Sequence, residues 1–91
     1  MIRQAVLVEN RLGLHARAAA KLVRLASRFS SEVYLSREGA HQKIDSKSIL
    51  GILMLGASQG TRIVVSIDGQ DEVEAGEAIR RLFEEKFGEE S

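Results

Sequence analysis

The stretch RLGLHARAAAKLV, residues 11–23, sets His15 immediately before a run with helical periodicity and Arg17 two residues further on. That arrangement suits the handling of an anion. The first backbone N–H groups of a helix, here those of Ala16, Arg17 and Ala18, have no intrahelical acceptor, and the helix dipole favours negative charge beside them. A phosphoryl group accepted by a ring nitrogen of His15 would meet those donors, and the Arg17 guanidinium could fork onto its oxygens. Gly13 lets the chain turn sharply into the helix and keeps bulk away from an approaching partner.

The magnitudes suit a carrier better than a hydrolase. A helix end stabilises an adjacent anion by about 0.3–1 kcal/mol, up to about 2 in favourable geometry, which tunes a transfer without trapping the group. The chain offers no carboxylate cluster for magnesium, no P-loop and no second base beside His15, so acceptance and donation are the chemistry expected of it alone. The other histidine, His41, falls in a polar hairpin without a second ligand. No metal site and no cofactor are expected.

Positioning these groups requires a small α+β scaffold. Residues 2–9 alternate, with Val6 and Val8 on one face, and predict a strand; residues 16–29 shift to helical spacing, with an apolar stripe of Ala19, Leu22, Val23, Ala26 and Phe29. Residues 32–37 predict a second strand, His41–Asp45 a short polar third, and DSKSILGILMLG an apolar helix ended by Gly56. Thr61–Asp68 is the clearest strand. A final helix from about Gly69 buries Ala75, Ala78, Ile79, Leu82 and Phe83, with exposed Glu77–Arg81 and Arg80–Glu84 pairs; the acidic tail EEKFGEES is expected to fray.

The order βαββαβα predicts an α+β, open-faced β-sandwich: a four-stranded antiparallel sheet covered on one face by three helices, one domain over residues 1–91. Leu7, Tyr34 and Val64 would be the large apolar residues of the open face. Thirteen basic and 13 acidic side chains cancel, and one aromatic on the open face makes a poor platform for RNA, so no nucleic-acid partner is expected. The absence of cysteine excludes disulfides and thiolate chemistry. No apolar run is long enough to span a membrane and the N-terminus has no signal-peptide pattern, so a cytoplasmic protein without membrane insertion is expected.

Two surface features bear on partners. Arg17, Lys21, Arg24 and Arg28 form a basic ridge on the first helix, opposite its apolar stripe. The second helix has no polar face at all over Ile49–Leu55, so part of it must be exposed. Ile52 and Leu55 suit the core, leaving an apolar patch beside the basic ridge, a surface fit for acidic, partly apolar proteins. Ser48 is a natural cap for this helix.

LGLHAR before an alanine-rich helix, KSILGILMLG about thirty residues later, and QGT leading into a strand together resemble the HPr phosphocarrier family of the bacterial phosphoenolpyruvate-dependent phosphotransferase system. The resemblance implies that His15 accepts a phosphoryl group through Nδ1 from phosphorylated Enzyme I and passes it to a histidine of an Enzyme IIA domain. It implies that Arg17 stabilises the phosphate, that Ile49, Leu50 and Leu53 contact partners, and that Ser48 matches the serine which a kinase phosphorylates in some bacteria. A monomer is expected. The family usually has proline after the arginine, where this chain has Ala18; phosphate acceptance is still expected, with the Ala18 N–H joining the cradle. A non-carrier regulatory module acting through Ser48 and the apolar helix is the alternative, although that role does not require His15 and Arg17.

Overall fold

The computed structural model describes Met1–Ser91 and has strands β1 (Ile2–Leu7), β2 (Glu32–Arg37), β3 (Ile44–Asp45) and β4 (Arg62–Asp68), with helices α1 (Ala16–Ala26), α2 (Ile49–Met54) and α3 (Glu72–Glu84). The sheet order is β1-β4-β2-β3, every pair antiparallel. Register follows the period-two pattern: Val6 lies opposite Ile63, while Leu35 and Gln4 flank Val65 from either side. This places the apolar set on one face, where Val6, Val33, Leu35, Ile63, Val65 and Ile67 are buried beneath helices that add Ala19, Leu22, Ala75 and Ile79. The other face is uncovered, with Leu7, Val64 and Tyr34 on diagonal positions of neighbouring strands. No helix is long and apolar enough to cross a membrane.

Four local expectations are corrected. Helix α1 stops at Ala26, so Arg28 lies in the turn beyond it and Phe29 only flanks the core. The third strand shrinks to Ile44–Asp45, because His41, Gln42 and Lys43 are exposed and have no apolar side to bury. Glu77 pairs with Arg80, one residue short of the expected Arg81, and Arg80 also holds Glu84 at 2.9 Å. Finally, the acidic tail does not fray. It turns back through a one-turn helix at Lys86–Gly88 and buries Phe87 against Phe83, with ring centroids 4.9 Å apart.

That last turn has a local conformational cost. Lys86 and Phe87 both adopt left-handed backbone, with φ of 56° and 57°, which costs a non-glycine residue about 1–3 kcal/mol. Burying a phenylalanine, about 1.5–3 kcal/mol, and its edge-on contact with Phe83 offset much of this. The Lys21 ammonium adds a hydrogen bond to the Phe87 carbonyl at 2.5 Å.

At the other end of α3, Asp71 ties the α1–β2 turn to the helix start. Its carboxylate accepts from the Ser31 hydroxyl and from the backbone N–H groups of Ser30 and Ser31 at 2.9 and 3.0 Å. The Ser31 hydroxyl and then the Ser30 N–H, working against burial, hold this carboxyl down at about 2.

Candidate functional site

His15 is the N-cap of α1, with extended backbone (φ −80°, ψ −178°), and its carbonyl accepts the Ala19 N–H at 2.8 Å. Its approach is fixed by the preceding turn. Gly13 has φ +68°, and a Cβ there would stand 2.5 Å from the Ala57 carbonyl oxygen; the next N–H, that of Leu14, donates to that same oxygen at 2.9 Å. A glycine is therefore required by both conformation and space. The side chain of His15 retains 27% exposure, so the ring is held at the surface and not in the core.

Both ring nitrogens have partners. Nδ1 accepts the Arg17 N–H over a long 3.3 Å, while Nε2 lies 2.6 Å from Oε2 of Glu89. A carboxylate can only accept and a backbone N–H can only donate, so the partners assign the proton to Nε2 and leave the lone pair on Nδ1. The long Arg17 contact is a weak one that an incoming group can replace. The short contact to Glu89 is an anchor.

Glu89 is itself held. Its other oxygen accepts from Asn10 Nδ2 at 3.1 Å. Burial tends to raise its carboxyl, but hydrogen bonds from His15 and Asn10, with the nearby charge of Lys21, prevail and keep it below the ordinary carboxylate range. A cleft of about 450 Å³ opens here, bordered by Arg11, Leu12, His15, Ala16 and Arg17 on one side and by the tail residues Glu89–Ser91 on the other.

The expected residues fall into three groups. Ala16 and Arg17 are exposed and line the cleft, whereas Ala18 is wholly enclosed in the core. Ala18 has no solvent-accessible surface in the unphosphorylated chain, its methyl packed inside. Of the basic ridge, Arg17, Arg24 and Arg28 are exposed, while Lys21 is half-buried and engaged by the tail.

On α2, Ser48 is the N-cap and accepts the Gly51 N–H at 3.0 Å. Ile49, Leu50 and Leu53 are exposed, Ile52 is buried and Leu55 packs at the core's edge. Arg37 donates to the carbonyls of Leu55 and Gly56, at 3.0 and 3.3 Å, and so closes the other end of this short helix. Leu12, beside His15 in the cleft, and Met54 are exposed as well, by 62% and 73%.

Three participants escaped the sequence reading: Glu89, Asn10 and the tail-binding role of Lys21. Phe87 carried the available signal, since Ile79, Phe83 and Phe87 continue one stripe at four-residue spacing. Nothing in the local sequence marks Asn10.

An open-faced sandwich that presents one oriented imidazole at a helix start, in an open cleft, defines a protein that carries a group between partners. The comparisons agree. The family model "PTS HPr component phosphorylation site" matches residues 2–85. The chain is 48% identical to phosphocarrier protein HPr of Xylella fastidiosa (strain 9a5c) over the whole of both chains, and 45% identical to that of Cupriavidus necator over 98% of each. The crystal structure of HPr-C-His from Thermoanaerobacter tengcongensis superposes with a TM-score of 0.92, at 44% identity, with both chains fully covered. The chain belongs to the HPr family, the phosphocarriers of the phosphotransferase system.

Proposed function

We propose that Nδ1 of His15 accepts the phosphoryl group from phosphorylated Enzyme I and passes it to a histidine of an Enzyme IIA domain, the chain acting as a cytoplasmic monomer. The observation that carries this reading is the ring's pair of contacts, with Nε2–H on Glu89 and the lone pair of Nδ1 turned to the start of α1. In the transfer, the Nδ1 lone pair forms the bond to phosphorus as the bond to the donor breaks and its electron pair leaves with the donor. No proton has to move, because Nε2 keeps its own. The phosphorylated ring carries a formal positive charge, and the Glu89 carboxylate balances it.

The displaced Arg17 N–H then becomes a donor to a phosphoryl oxygen, joined by the Ala16 N–H and the Arg17 guanidinium. Leu12, Ile49, Leu50 and Leu53 supply apolar contact to either partner, and Arg24 and Arg28 attract acidic ones. Phosphorylation of Ser48 by a kinase would put charge next to Ile49 and Leu50 and weaken that contact. The test is intact mass after incubation with Enzyme I and phosphoenolpyruvate. One acid-labile phosphate on the wild-type chain and none on His15→Ala is expected; an acid-stable phosphate on Ser48 alone would favour the regulatory reading.

A further inference from the structure

Asn10 is the one large polar side chain enclosed in the core, completely inaccessible to solvent. It sits at the junction of the two segments that form the cleft. Its Nδ2 donates to the Gly13 carbonyl at 2.8 Å and to Glu89 Oε1 at 3.1 Å. Its Oδ1 has no partner. Turning the amide over would set Oδ1 against a carbonyl and a carboxylate, both acceptors, so the orientation is fixed and the orphaned oxygen is its consequence. A buried amide with one unsatisfied end is unfavourable for packing alone. What it supplies is a pair of donors aimed at two acceptors, one on each wall of the site.

We infer that Asn10 is a positioning residue for phosphoryl transfer: it fixes the Glu89 carboxylate relative to the Gly13 turn, and through Glu89 sets which nitrogen of His15 carries the proton. The inference rests on His15 being the acceptor, but the geometry it concerns is defined before any phosphate arrives. One N–H of Asn10 holds the turn that delivers His15, and the other holds the carboxylate that binds Nε2. Without it, Glu89 still carries its charge but is free to turn towards solvent, and Nδ1 and Nε2 then compete for the ring proton. Lys21 secures the tail at Phe87 and does not touch Glu89 by hydrogen bond, so it cannot replace this function.

The experiment is a double-variant cycle of Asn10→Ala and Glu89→Ala, read by ¹⁵N chemical shifts of the His15 ring and by the rate of phosphorylation with Enzyme I and phosphoenolpyruvate. Alone, Asn10→Ala is expected to lower the ratio of Nε2–H to Nδ1–H tautomers by about threefold or more, as for loss of one hydrogen bond, and to slow phosphorylation in proportion. In the Glu89→Ala background the same change is expected to leave the ratio where it was. An unchanged ratio in the first case, or an equal fall in both, overturns the inference, since a merely structural asparagine would not act through Glu89.

A second measurement needs no change at Asn10. Its side-chain amide protons are expected to exchange slowly in the wild-type chain and faster in Glu89→Ala; equal rates would also overturn it. Should His15 prove not to be phosphorylated at all, the ring shifts still decide the role of Asn10, so the two failures are distinguishable.

Discussion

Replacing Glu89 by glutamine probes the site with the least change of shape. The carboxylate faces two donors, Nε2–H of His15 at 2.6 Å and Nδ2 of Asn10 at 3.1 Å, through its two oxygens. A glutamine has a single acceptor oxygen, so one donor must face its NH₂ group and lose its bond. A hydrogen bond to a charged group contributes about 1.5–3 kcal/mol when buried. The side chains here keep 27% and 15% exposure, which calls for a discount to about 1 kcal/mol. If that energy is expressed in the transition state, where the ring becomes cationic, phosphorylation slows about fivefold. The assay is single-turnover phosphorylation by Enzyme I, with the amide spectrum as a check on the fold. Glu90→Gln serves as control, because that carboxylate lines the cleft without a hydrogen bond to His15. A Glu89→Gln rate within twofold of wild type, or an equal loss in Glu90→Gln, would show that the Glu89 carboxylate does not assist the transfer.

Other outcomes follow from the same contacts. Phe87→Ala should destabilise the chain by about 3 kcal/mol in denaturant melts and free the tail, since it empties a fully buried aromatic site beside Phe83; a loss below about 1 kcal/mol would mean the tail is not docked. Gly13→Ala should cost more than about 1 kcal/mol, because the new methyl meets the Ala57 carbonyl and φ is positive, and should slow phosphorylation as well. A stable, fully active Gly13→Ala chain would contradict the fit of that turn. Asp71 is held at about 2, below its ordinary 3.8, so its contribution is present above pH 3.8 and fades as pH falls towards 2. Asp71→Asn should therefore flatten the acid limb of a stability-against-pH curve; an unaltered limb would show that the Ser30–Ser31 clamp contributes nothing.

Much of this was legible in the sequence, for identifiable reasons. Period-two alternation in β1, β2 and β4 encodes the sheet because one face is buried, and a slip of one residue would expose Val65 and Ile67. His15 and Arg17 could be read because helix starts impose the same electrostatics wherever they occur. The tail was misread because its acidic composition masked a single anchor: Phe87 lies one turn beyond Phe83 but on left-handed backbone, which no helical periodicity announces. Asn10 and Glu89 are 79 positions apart and meet only because the tail folds back over the β1–α1 loop. Ala18 was legible only in part. Its N–H was visible as an orphan of the first helical turn, but that its methyl would be enclosed depends on packing against the rest of the core.

In the phosphorylated chain, Nδ1 of His15 should carry the phosphoryl group while Nε2 keeps its proton on Glu89. Heteronuclear NMR of the ¹⁵N-histidine-labelled chain, phosphorylated by Enzyme I, reads both at once through ³¹P–¹⁵N and ¹H–¹⁵N couplings. Phosphorus coupled to Nδ1 and a proton coupled to Nε2 of His15 is the predicted result. Phosphorus on Nε2, or on no imidazole nitrogen, would contradict it.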